Sequence, residues 1–236
     1  MGLPKIDQPL FEITVPSSGN KVKYRPFTVK EEKILLIAQE TGELDQIILA
    51  IKQIINNCVT DIDVEKMPIF DLEYLIMHIR GKSVNNEITF TIKDPDTEEE
   101  IELSVNIDDM QIKKDPEHTK KIILNDEYYM MMRYPTLNEI SALQMNDDVS
   151  ETESAFRAMI SCIDVLVKDD SDEVYNFSEF SASEITEFVE QFTGTTVAAL
   201  QKFFTTLPQM KYAVPYKDNT GKKKTFNLEG MDTFFT

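Results

Sequence analysis

The chain has 236 residues, enough for one large domain or two small ones, and its 42% hydrophobic and 28% charged content is that of a folded protein. A formal charge of −18 repels phosphate backbones, so nucleic acid is not expected as a partner. No stretch approaches the roughly 20 apolar residues of a bilayer span, and residues 1–9 lack the basic start and apolar run of a secretory signal, so a cytosolic origin is expected.

Phe11, Ile13 and Val15 alternate with polar residues, a turn follows at Ser17–Asn20, and Val22 and Tyr24 continue on a returning strand. Pro26 stops that strand, and Thr28 with Glu31 forms a capping box opening a helix with Ile34, Leu35 and Ala38 on its buried side. The next helix is the clearest in the chain, with Leu44, Ile47, Ile48, Ile51, Ile54, Ile55 and Cys58 on one face. A third follows Pro68, carrying Leu72, Leu75, Ile76 and Ile79. Two strands around Ile88–Ile92 and Ile101–Ile107 then make a β-hairpin across Asp94-Pro95-Asp96.

Residues 108–120 are polar and read as a linker. Beyond them, strands at Ile122–Leu124 and Tyr128–Met132 precede a short helix opened by Pro135 and Thr136, with Glu139 in capping-box position. A longer helix is expected from Phe156 through Cys162 and Ile163 to Val167. Ser183 can cap another, with Ile185, Phe188, Val189 and Phe192, and one more is expected near 196–207. A last hairpin, Tyr212–Tyr216 and Phe226–Leu228, turns at Asp218–Gly221.

The fold class predicted is α+β with two similar modules, 1–110 and 121–236, each a helical cluster with β-hairpins. Tyr24-Arg25-Pro26-Phe27-Thr28 resembles Arg133-Tyr134-Pro135-Thr136, and a cysteine-bearing helix follows each. The reading is an internal duplication, with an inserted helix near 196–207 in the second copy.

Catalytic signatures are sparse. The glycines stand singly, without the clustering that a phosphate-binding loop needs, and Cys58, Cys162, His78 and His118 lie too far apart for a local zinc site. No cofactor or metal site is predicted. Both cysteines fall on apolar helix faces and read as core thiols, not nucleophiles; His78 reads as a surface residue and His118 as part of the linker. The acidic hairpin tip Asp94, Asp96, Glu98, Glu99, Glu100 and the run Asp169, Asp170, Asp172, Glu173 are expected to be solvated, as is the cation cluster Lys222–Lys224. Two apolar features are candidate interfaces: Met130, Met131 and Met132, which put side chains on both faces of a strand, and the terminal Phe234 and Phe235.

The segment Tyr24-Arg25-Pro26-Phe27-Thr28-Val29-Lys30-Glu31-Glu32-Lys33-Ile34-Leu35-Leu36-Ile37-Ala38, then Cys58-Val59, Phe70-Asp71-Leu72-Glu73-Tyr74-Leu75 and Ile79-Arg80-Gly81-Lys82-Ser83, resembles the baseplate hub subunit and hub-assembly proteins of large contractile-tailed (myovirus) bacteriophages. These residues lie in the first half; beyond Lys114 the similarity is one of length and general pattern. Some members of that group carry a paired-cysteine hairpin after the Lys-Ser segment, whereas Glu87–Ile107 here contains no cysteine, so no metal knuckle is expected. The resemblance implies a non-enzymatic structural or assembly protein of the tail baseplate, made in the host cytoplasm and held in the virion. Its partners would be other tail and hub proteins, with the tape-measure protein a further candidate. Two other readings stand beside it: a transient acidic chaperone for the tape-measure or hub proteins, and a hub-associated hydrolase using a carboxylate pair drawn from Asp94, Asp96, Asp170 and Asp172.

Overall fold

The computed structural model of the protein describes residues 3–4, 6–137, 139 and 151–229. Helices and antiparallel sheets are mixed along the chain, as an α+β fold requires, and the chain divides into two compact units, Met1–Lys113 with Gln209–Thr236, and Lys114–Pro208.

The first unit begins with the hairpin β1 (Phe11–Thr14) and β2 (Lys21–Tyr24), whose alternating polar residues leave Ile13, Val22 and Tyr24 buried. Helix α1 (Val29–Thr41) ends where Gly42 takes a left-handed φ of 68°, a conformation open to glycine without a Cβ penalty. Helix α2 (Leu44–Cys58) returns and joins the hairpin edge: the Arg25 amide donates to the Cys58 carbonyl at 2.9 Å, and Tyr24 bridges to Val59. Helix α3 (Ile69–Ser83) is the centre of this core, with Leu72, Leu75, Ile76, Met77 and Ile79 all buried beside Ile51, Ile54 and Ile55 of α2.

A Cβ added at Gly81 of α3 would stand 2.6 Å from Asn86 Oδ1 and 3.1 Å from Ile107 Cδ1. Gly81→Ala is therefore expected to destabilise by about 1–3 kcal/mol through overpacking, although alanine is the better helix former. A urea midpoint higher than that of the parent protein would contradict this.

Strands β3 (Glu87–Lys93) and β4 (Glu100–Asn106) form the predicted hairpin. The expected linker is only partly a linker, because Ile107–Asp109 make a 3-10 turn and β5 (Ile112–Lys113) pairs with β10 (Gln209–Lys217). With β11 (Lys223–Glu229) this gives a three-stranded sheet of order β11-β10-β5. The C-terminal hairpin, expected within a module spanning 121–236, thus groups with the first unit. Strand pairing to β5 and side-chain bonds to β3–β4 outweigh its position in sequence.

The second unit is built on a four-stranded antiparallel sheet of order β6-β7-β8-β9, with β6 (Lys121–Ile123), β7 (Tyr128–Met132), β8 (Ile163–Lys168) and β9 (Val174–Asn176). The long helix expected from Phe156 to Val167 is corrected here. Helix α4 covers Glu151–Ser161, and the chain turns at Cys162 into β8, where Ile163, Val165 and Val167 suit the strand. Helix α5 (Ala182–Val189) is capped by Ser181, not Ser183, through a capping box with Glu184. Helix α6 (Gly194–Thr205) follows a Thr193 cap and brings Leu200 and Phe203 into the core with Ile122, Met130, Met132, Cys162 and Val189. The short helix expected after Thr136 lies largely outside the described residues.

Candidate functional site

Each unit contains the same polar clip. In the first, Glu31 at the start of α1 accepts from the Thr28 amide at 2.8 Å and the Thr28 hydroxyl at 2.6 Å, and its other oxygen holds Arg25 Nη2 at 3.0 Å. In the second, Glu139 accepts from the Thr136 amide at 2.8 Å and from its hydroxyl, and holds Arg133 Nη2 at 2.6 Å. The Arg133 amide donates to the Cys162 carbonyl at 2.8 Å, the counterpart of the Arg25 to Cys58 bond. Burial opposes the charge on Glu31, but the Arg25 guanidinium and both Thr28 donors overcome it, holding the carboxyl down to about 2. These clips tie a helix start to the end of another element. Nothing in them is set to react.

Cys58 and Cys162 are buried in their units as read from the sequence, and burial pushes each thiol up to about 11. Such thiols pack as small apolar groups. Because the folded pKa lies above the ordinary 9.0, the thiols contribute stability below pH 9 that is lost as pH rises from 9 towards about 11. A thiol reagent at neutral pH is expected to label both cysteines only as fast as the protein opens; immediate labelling of the native protein would contradict the burial.

His78 is half-buried on α3, its Nδ1 2.9 Å from the Tyr74 carbonyl and its ring 4.2 Å from that of Tyr74. His118 does not sit free in a linker. Its ring stands 5.7 Å from Tyr134 and 5.2 Å from Phe203, and Nδ1 lies 2.9 Å from Thr206 Oγ1. Among the described residues, no group of three or more His, Cys, Asp or Glu could hold a metal ion.

The carboxylates depart most from expectation. Asp94 is buried, not solvated: Lys224 Nζ lies 2.7 and 2.9 Å from its oxygens, and Tyr216 donates its hydroxyl at 2.8 Å. Lys224, expected in a solvated cluster, has a side chain only 12% exposed and also meets Asp96 at 2.8 Å and Asp218 at 3.2 Å. The Lys224 ammonium holds Asp94 well below the usual carboxylate range. A general acid needs the opposite shift, so Asp94 fits a structural anchor between two hairpins better than a hydrolytic pair. Asp170 and Asp172 lie exposed in the β8–β9 turn.

The sequence-predicted interface divides three ways. Met130 and Met132 are buried in the second unit's core; Met131 faces the other side of β7 and is half-buried opposite Lys121 and Val165. Phe234 and Phe235 lie outside the described residues. Two exposed apolar surfaces were missed. On α1, Leu36 is 53% and Ile37 63% exposed, with Val29 next to the Thr28 cap and Leu49 of α2 also exposed. The signal was available, since the five apolar residues Ile34–Ala38 exceed what one helix face can bury. In the second unit, Val174, Tyr175 and Phe180 are exposed beside a groove lined by Leu166, Phe177, Ile185 and Phe188. Here the shortness of β9, just after the acidic run Asp169–Glu173, hid the strand.

Among the described residues no helix is long and apolar enough to cross a membrane. Comparison with curated proteins and with solved structures finds no match. The sequence profile of the family described as T4 bacteriophage base plate protein matches residues 8–236, nearly the whole chain, and the protein therefore belongs to that family of structural proteins of the phage baseplate.

Proposed function

We propose that the protein is a non-enzymatic structural or assembly component of the baseplate hub, acting by binding other baseplate proteins through apolar faces on an otherwise acidic surface. The observation that carries this is family membership in a chain that exposes one apolar cluster on the α1–α2 hairpin and another beside the β9 edge. Exposed apolar clusters with polar rims are the mark of docking surfaces. Of the titratable groups that a catalytic reading would use, Asp94 is paired with Lys224 and both thiols are buried, while Asp170 and Asp172 lie exposed in a turn.

The two Arg–Thr–Glu clips favour a duplicated module. In each, arginine precedes its glutamate by six residues and threonine by three, and the arginine amide meets the carbonyl of a buried cysteine. Recurrence of the clip together with its long-range cysteine partner supports this reading more than a capping box alone would. Two related modules suit a protein that joins unlike neighbours in a baseplate.

Disrupting the gene during infection is expected to yield tails without completed baseplates, restored by supplying the chain in trans. Infectious particles at the ordinary yield from the disrupted phage would overturn the proposal.

A further inference from the structure

The sheet of the second unit ends in β9, and the groove described above runs beside that end. The Lys168 amide donates to the Glu173 carbonyl, and on the other side of β8 the Asp169 amide donates to the Glu127 carbonyl. Alternation along an antiparallel ladder then directs Tyr175 towards β8, and turns the amides of Val174 and Asn176 to the outer edge. No strand pairs with that edge among the described residues. Natural sheet edges are commonly blunted by shortness, lysine, proline or a bulge; Val174-Tyr175-Asn176 is short, at three residues, but carries no lysine, proline or bulge.

Leu166 and Tyr175 are cross-strand partners and so share a face. With Phe177, Phe180, Ile185 and Phe188 they line a groove of about 260 Å³, open to solvent at Tyr175 and Phe180. The surrounding charge is mostly negative. Between residues 158 and 201 the sequence has nine Asp and Glu but a single cation, Lys168, which itself lies 3.7 Å from Glu173. Glu184 lines the groove, and Glu173 accepts the Tyr175 hydroxyl at 3.0 Å.

We infer that the β9 edge and its groove receive an extended, basic segment of a partner protein, which adds a strand to the sheet, seats alternate apolar side chains in the groove and sets lysine or arginine among the carboxylates. This rests on the binding role proposed above and names its site. Backbone pairing at an open edge supplies affinity, alternate-residue pockets supply specificity, and complementary charge speeds and orients docking. A second copy of this chain is the poorer occupant, because edge-to-edge pairing would bring two acidic faces together.

The test uses the full chain and fluorescein-labelled octapeptides of alternating lysine and phenylalanine, read by anisotropy and by backbone amide shifts. The lysine peptide is expected to saturate and to shift Val174, Tyr175 and Asn176. Replacing its lysines by glutamate, or N-methylating the amides on one edge of its backbone, should weaken binding by roughly tenfold or more. Asn176→Pro removes an edge donor at a residue whose φ of −79° already suits proline, and Phe180→Asp puts charge at the groove. Each should weaken binding while the melting temperature stays near that of the parent; if one variant unfolds, the other and the peptide series decide. Equal affinity for the lysine and glutamate peptides, or shifts confined elsewhere, would overturn the inference. So would a dimer in sedimentation velocity that Asn176→Pro dissolves, since a second copy would then be the occupant. Gene disruption judges the baseplate role separately: defective baseplates with a failed peptide series remove only this site.

Discussion

Phe203→Ala is expected to remove about 3–5 kcal/mol of stability, the range for deleting a fully buried aromatic ring. Phe203 on α6 is 2% exposed and sits in the densest aromatic contact of the second unit. Its ring lies 5.2 Å from His118, 6.2 Å from Tyr134 and 5.1 Å, edge-on, from Phe204. Truncation removes the ring that packs against those aromatics in the buried cluster with Leu200 and Met130. Phe203→Leu keeps most of the volume and should cost roughly half as much. Urea denaturation checks both; a loss under about 1 kcal/mol for the alanine variant would mean that α6 does not close this core.

Glu31→Ala should cost about 3 kcal/mol, because it leaves a partly buried guanidinium without its counter-charge and a helix start without its cap. Glu31 is 2% exposed and is the common acceptor for Arg25 and Thr28. Glu31→Gln keeps an acceptor for Thr28 and loses the charge, so it should fall between the parent and the alanine variant. The pH dependence follows from the same contacts. The folded carboxyl is depressed from 4.5 to about 2, so its contribution is fully present above about pH 4.5 and is lost as pH falls from there towards 2. Glu139 is depressed in the same direction through Arg133 and Thr136 and contributes on the same acid limb. Glu31→Gln should flatten that limb. An acid-unfolding curve parallel to that of the parent protein would contradict the ion pair.

Local signals carried much of this fold. Thr28 and Glu31 announced α1, the spacing of Ile51, Ile54, Ile55 and Cys58 announced α2, and period-two alternation announced β3–β4 and the C-terminal hairpin. What failed was whatever depends on non-local partners. Ile160, Ile163 and Val167 fit a helical spacing, yet Ile163, Val165 and Val167 also alternate, and only pairing with β7 and β9 decides for a strand. Asp94 and Lys224 sit on two acidic and basic hairpin tips that read as solvated, and their pairing spans 130 residues. The interface candidates show the same limit. Met130 and Met132 read as adhesive because their strand is visible in the sequence, whereas the packing of the predicted 196–207 helix into the same core is not; the exposed edge at β9 follows an acidic run that reads as a loop.

Whether this chain is a built-in part of the baseplate that works by binding its neighbours is read out by quantitative mass spectrometry of purified particles. Peptides from this chain are expected at a fixed copy number per tail, retained after the particles are washed at high salt. Abundant peptides in the infected-cell lysate with none in the mature particle would contradict it, and would mark the protein as a transient assembly chaperone.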